Sequence, residues 1–431
     1  MRPSLLNALR FFAFIGATAL LTACGGGNAG TIPAAAPNGI SPLSTGIMGS
    51  ASSLVATPAP APVINEYPTL TAGSGPVVIT TGPDGALWFT EGNVDKIGRM
   101  TTAGVNTNEF SDGSPGSFPN GIALGPDNRL WFTEYSTNQI GAMTTTGTVQ
   151  QYSGLTGSNP AFIVKGSDNA MWFTEFSNGG AGKIGRITTS GVLHESGDGS
   201  GPWEITSGPD GALWFAESNS SSIGRMAITG TLIAQYPTGQ PFPYNIAVGP
   251  DGAVWFTECA TFGNPSSTKV DSIGRVTLAG TVTEYPVKTQ GSCPNGITAG
   301  PDGNMWFVEN GYLLGPPGAS AVGKITMTGA VTEYPLANPT AGPMYITKGP
   351  DGNLWFTENS ASKIGEVVFP SASGSGSGSD CSGKNDNNNH NNDNKNGKND
   401  KCSGDKDAKH GDNNQDGKNG DGNNNQQCCN H

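Results

Sequence analysis

The sequence predicts an all-β protein, a seven-bladed β-propeller of four-stranded antiparallel blades. Three observations predict it. The motif Gly-Pro-Asp-Gly-x-Leu-Trp-Phe-Thr-Glu recurs seven times with small variations, placing tryptophans at 88, 131, 172, 214, 255, 306 and 355. Their intervals are 43, 41, 42, 41, 51 and 49 residues. A repeat in the forties made of short strands is the pattern of one propeller blade per repeat. Finally, the last repeat lacks a fourth strand, and an orphan copy of that strand precedes the first repeat.

The first 24 residues read as a targeting leader. Arg2 and Arg10 precede an apolar run from Phe11 to Leu21, too short for a membrane span. Leu21-Thr22-Ala23-Cys24 resembles a bacterial lipobox, which implies cleavage before Cys24 and lipidation of its thiol. Gly25 in place of aspartate would sort the protein to the outer membrane of a two-membrane envelope. Residues 25–62, rich in Gly, Ala, Pro and Ser, read as a flexible tether.

The propeller is expected over 63–370. In its first repeat, Val77 to Thr80 is an apolar inner strand. Gly82-Pro83-Asp84-Gly85 is expected to form a two-residue hairpin turn, with Asp-Gly supplying positive φ. Leu87 to Thr90, Lys96 to Met100 and Val105 to Phe110 supply the remaining strands. One such sheet cannot bury both faces, but seven stacked around an axis can. Fourth strands usually end Glu-Tyr-Pro, as at 284–286 and 333–335. The seventh repeat stops after Lys363 to Phe369, and Ile64-Asn65-Glu66-Tyr67-Pro68 stands alone before the first. The strand near 63–68 should therefore complete blade seven and remove an open sheet edge.

The 61 residues from 371 to 431 contain 16 Asn and almost no apolar side chains, so this tail is expected to be disordered. Its Asp and Asn runs lack the spacing of a Ca²⁺ loop. The net charge is −12; the leader contributes +2 and the tail −2, which leaves −12 on the region between. Such an acidic domain argues against nucleic acid and anionic membrane surfaces as partners. Membrane attachment would come from the lipid alone, and a monomer is expected. Of seven cysteines, Cys259 and Cys293 are the two inside the propeller. They fall in loops on the same face of neighbouring blades, and an extracytoplasmic compartment permits a disulfide between them. Cys381, Cys402, Cys428 and Cys429 cannot be paired from sequence.

One face of the ring is marked out for function. Seven motif glutamates (91, 134, 175, 217, 258, 309 and 358) end the second strands there. The residues after the prolines that start the first strands share that end: Val77, Asn120, Ala161, Trp203, Tyr244, Asn295 and Met344. Insertions in blades three, five and six lengthen the loops of this face, the usual place for binding residues. Two readings of the glutamates stay open: support of the repeat's own backbone, or metal and ligand contacts by one or two of them, Glu309 and Glu358 included. Trp203 with Glu204 and Tyr244 with Asn245 either form a stacking platform for a sugar or flat ligand, or pack the axial opening. Asn120, Asn295 and Tyr345 complete the ligand-binding candidates.

The repeats Ile-Thr-x-Gly-Pro-Asp-Gly-x-Leu-Trp-Phe-Thr-Glu, Lys-Ile-Gly-Arg-Ile and Thr-Glu-Tyr-Pro resemble the virginiamycin B lyase (streptogramin lyase) family over about residues 63 to 369. The resemblance implies a seven-bladed propeller and a Mg²⁺-assisted elimination that opens the ring of streptogramin B antibiotics. It implies a histidine proton acceptor after the proline of the last blade, where Met344 stands. A second histidine belongs one blade earlier, at Asn295. Of two metal glutamates, Glu358 matches one and Gly342 replaces the other. Neither Met nor Asn takes a proton near neutral pH. Three functions follow as expectations. The first is a lipid-anchored envelope module that binds a small molecule, glycan or envelope protein without catalysis. The second is a Mg²⁺-dependent lyase, or a lactonase-like hydrolase using axial carboxylates. The third is a purely structural envelope protein.

Overall fold

The computed structural model describes residues 61–177, 182–197, 200–260, 268–311 and 320–369. The leader with Cys24, nearly all of the tether, the tail, and much of the insertions in blades three, five and six lie outside the described residues. Among those described, 28 strands form seven four-stranded antiparallel sheets. Blade one spans 76–111, blade two 119–152, blade three 160–197, blade four 202–237, blade five 243–286 and blade six 294–335. Blade seven takes three strands from 343–368 and its fourth from Val63–Pro68. That strand pairs in register with the last one, Val63 opposite Val368 and Pro68 opposite Lys363. The two ends of the propeller thus share one sheet, and the ring closes as the orphan Glu-Tyr-Pro implied.

The motif residues divide the labour of burial. In blade one, Leu87, Trp88, Phe89, Thr90 and Glu91 are all buried. The Phe89 ring lies over Gly98 on the next strand, where an added Cβ would come within 2.1 Å of Cε2. Glycine in Lys-Ile-Gly-Arg is therefore a seat for that phenylalanine. Trp88 packs over Gly82, donates Nε1–H to Asp84 Oδ1 at 3.0 Å and stacks on Phe110 at 5.5 Å. Arg99 closes the unit by donating Nε–H to Asp84 Oδ2 at 2.8 Å. Removing such an aromatic anchor costs roughly 3–5 kcal/mol.

The hairpin turn differs from the expected two-residue form. The Gly82 N–H donates to Ala86 O at 2.8 Å, which leaves three loop residues, and only Gly85 among them has positive φ, at +69°. This is a turn followed by a left-handed glycine, a longer hairpin type. Asp84 braces the turn through its side chain instead, where Oδ1 accepts from the Ala86 N–H and the Trp88 indole.

Motif threonines stitch blade to blade. Thr90 Oγ1 accepts from the Val78 N–H at 3.1 Å and donates to Asn120 O in blade two at 2.7 Å. Thr133, Thr174 and Thr357 donate likewise to Ala161, Trp203 and Val77 carbonyls. The last of these joins blade seven to blade one. Blades four and six carry Ala216 and Val308 at this position. A neighbour two residues on supplies the bond instead: Ser218 Oγ donates to Pro243 O at 2.7 Å and Asn310 Nδ2 to Pro343 O at 3.2 Å.

Candidate functional site

Each first strand starts at a proline paired with the motif glutamate, as Pro76 with Glu91 and Pro343 with Glu358. The register shifts between that proline and the isoleucine three residues on. Such a bulge re-aims the two residues between them. Seven such pairs meet at the axis.

They build a plug. The Trp203 and Tyr244 rings are 5.4 Å apart, and Phe176 sets its edge against Trp203 at 5.1 Å. Phe162 bridges Trp203 and Tyr345, at 5.8 and 6.0 Å. Met344 and Asn295 join the same cluster at 8% and 5% exposure. The space left among these groups is about 10 Å³, close to the minimum for one water. Asn120 is fully buried and donates Nδ2–H to Ala161 O at 2.8 Å.

Glu204 lies just beneath the plug. Its Oε1 accepts from the Tyr345 hydroxyl at 2.8 Å and its Oε2 from the Ile246 N–H at 2.7 Å. Burial lifts its pKa to about 8 against those two bonds and the nearby Asn245 carboxamide, so the carboxyl is mostly protonated at neutral pH. The Asn245 N–H is held by Thr257 Oγ1 at 3.0 Å. Six sequence candidates, Asn120, Trp203, Glu204, Tyr244, Asn295 and Tyr345, thus converge with Met344. Glu309 and Glu358 do not line this axial space. Glu309 is held by Ser292 Oγ at 2.6 Å, beside the disulfide that joins Cys259 to Cys293.

All seven motif glutamates are fully buried. Sequence reading missed what bears on their state, the residue of each fourth strand that pairs with the glycine of the third. Its signal was in plain sight: Glu at 66, 109, 195, 284 and 333, but Gln at 151 and 235. Phe162 and Phe176 were missed as well; they flank two candidates but belong to no repeated motif.

The residues at the family's metal position do not fit Mg²⁺. Glu358 has two oxygens that no donor reaches, and burial, then the Glu66 carboxylate, lifts its pKa to about 7. Its nearest carboxylate, Glu66, is taken by Lys363 Nζ at 2.7 Å, and Gly342 stands where the family resemblance expects the second metal glutamate, so a hard cation that demands several oxygens finds too few. Gly342 has φ +62°, and a side chain there would meet Ser360 Oγ at 2.5 Å. Among the described residues, no three His, Cys, Asp or Glu side chains cluster to hold a metal. His194 sits exposed on the outer strand of blade three.

Residues 47–197 and 175–372 match the virginiamycin B lyase family. A solved streptogramin B lyase is 33% identical, covers 72% of this chain and 98% of its own, and superposes with a TM-score of 0.62. A catalytically inactive histidine-to-alanine variant of virginiamycin B lyase from Staphylococcus aureus, solved with quinupristin, is 32% identical over 72% of this chain and 99% of its own, with a TM-score of 0.62. Hydrazine synthase from Kuenenia stuttgartiensis, 16% identical over 69% of this chain and 96% of its own at TM-score 0.58, shares the fold alone. The chain belongs to the virginiamycin B lyase family.

Proposed function

We propose that this chain is a lipid-anchored propeller of the bacterial cell envelope that binds a small molecule, glycan or envelope protein and has lost the family's elimination chemistry. The missing base carries this reading. No first strand places a histidine after its proline, and Met344 and Asn295 occupy the two positions where the family resemblance expects one. One histidine changed to alanine accompanies inactivity in the Staphylococcus aureus relative. A thioether and a carboxamide cannot replace an imidazole as proton acceptor. The lone Glu358 and the buried Met344 support the same reading. Lipidation at Cys24 would hold the protein to the membrane, with the outer membrane as its place in a two-membrane cell.

The test incubates the purified chain with a streptogramin B antibiotic and Mg²⁺ and follows products by chromatography and mass. No conversion is expected, even at high protein concentration. A product of unchanged mass would reveal elimination and overturn the proposal. A gain of one water would instead reveal a hydrolase that works through carboxylates. Fatty-acid labelling that survives Cys24→Ala would rule out the anchor.

A further inference from the structure

The plug closes the axis from the motif-glutamate side only. Beyond it the first strands diverge around a cavity of about 260 Å³ that opens on the opposite face, where the Gly-Pro-Asp-Gly turns lie. Its wall combines repeated isoleucines such as Ile79, Ile205 and Ile346, each nearly buried, with threonines including Thr80 and Thr298 further along the same strands, so polar and apolar groups share the lining. Among the described residues, Glu204 is the single carboxyl that lines it, and no Lys or Arg does. For scale, an apolar cavity of about 150 Å³ takes up benzene.

We propose that this funnel is a binding site for a small organic cation, an ammonium group carried on one ring or a short branched apolar body. This rests on the binding reading above and names a ligand class and a place for it, on the face away from the lyase centre. The body would replace water along the isoleucine wall. The ammonium would lie against Glu204, whose partners Tyr345 and the Ile246 N–H, with the Asn245 carboxamide close by, are all donors and leave lone pairs on its oxygens unused. An acidic domain raises the local concentration of cations. Binding balances as a proton exchange. The carboxyl, protonated when the funnel is empty because burial lifts its pKa to about 8, ionises against the ammonium and gives its proton to solvent.

The probe is phenethylamine, titrated calorimetrically into the full chain at pH 7 in phosphate and in Tris, whose ionisation heats differ. Saturable binding is expected, with release of about one proton per ligand read from the difference between buffers. Neutral 2-phenylethanol should bind at least about tenfold more weakly, and so should phenethylamine to Glu204→Gln. Thr298→Phe narrows the funnel without touching Glu204 and should weaken binding at unchanged melting temperature. Absence of phenethylamine binding at millimolar concentration overturns the proposal. So does equal affinity for the alcohol, or binding without proton release. The streptogramin assay judges the non-catalytic reading independently of these results.

Discussion

Blades two and four handle the same glutamate differently from the other five. Every blade buries the carboxyl that ends its second strand. In blades two and four the fourth strand offers it a glutamine. Gln151 Nε2–H donates to Glu134 Oε1 at 2.9 Å, and Gln235 Nε2–H donates to Glu217 Oε1 at 2.7 Å. In the other five blades that residue is a glutamate, held elsewhere as an acceptor. Glu109 takes Lys96 at 2.6 Å, and Glu333 takes the Lys288 N–H at 2.6 Å. It has nothing to donate. Ser74, the Gly157 N–H and Thr238 lie near Glu91, Glu175 and Glu258 but miss hydrogen-bond geometry, nothing donates to Glu358, and one oxygen of Glu309 is left in the same state. Burial first, and then the neighbouring carboxylate, lifts their pKa values to about 7, 8, 9, 7 and 8 in that order. The fold fixes which residue repeats; a residue on another strand decides whether it is offered an amide donor.

The largest expected effect tests whether burial maintains this difference. The Cys259–Cys293 bond joins blades five and six, with Cα atoms 4.5 Å apart. Cys259 follows Glu258, and Cys293 follows Ser292, the donor to Glu309. The bond closes a loop of 34 residues. Chain entropy then makes the Cys259→Ser, Cys293→Ser variant less stable by about 3–4 kcal/mol in denaturant unfolding. Water reaching Glu258 should also flatten the pH dependence of stability. An unchanged pH dependence in that variant would show that the staple does not keep these carboxyls dry.

Much of the fold was legible because the repeat writes it seven times. Tryptophan spacing counted the blades, the orphan Glu-Tyr-Pro closed the ring, and loop placement paired the cysteines. The axial site was legible only where partners come from adjacent blades, as Trp203 and Tyr244 do. The Glu204–Tyr345 bond joins residues 141 apart, from blades four and seven. That meeting depends on the diameter left at the axis after bulky side chains fill it, which no local pattern encodes. The Gln-for-Glu exchange was visible as letters. Its consequence depends on burial, which only the folded chain shows.

A smaller effect should differ in sign between the two classes. Glu217 accepts from Gln235, from Ser220 Oγ at 3.2 Å and from Ser222 Oγ. Glu217→Gln turns one acceptor into a donor facing donors and should cost about 1–3 kcal/mol. Glu258→Gln should instead stabilise the protein near pH 9 and change little near pH 4. A carboxyl whose pKa is raised from 4.5 to about 9 on folding binds its proton more tightly in the folded state. Its contribution is complete below 4.5 and is lost as pH rises toward about 9. The neutral amide escapes that loss. Melting curves of both variants at the two pH values check the signs, and matching signs would break the distinction between the blades.

The smallest effect is the most specific, because it converts one class into the other. Gln151→Glu removes the donor from Glu134 and sets a second carboxyl beside it. The third strand of blade two offers Gln139 where blade one has Lys96, so the new carboxylate gains no cation. Burial already raises Glu134 above the ordinary 4.5, and a like charge raises it further. The variant should therefore match the parent near pH 4, where both carboxyls are protonated. Near pH 8 it should lose about 1 kcal/mol, the scale of one hydrogen bond left unmade. Adding Gln139→Lys rebuilds the pair that Lys96 and Glu109 make at 2.6 Å, and should return part of the loss at pH 8 without changing pH 4. Equal stability of parent and Gln151→Glu at pH 8 would mean that burial alone sets the charge of the motif glutamate, and that the partner on strand four is incidental.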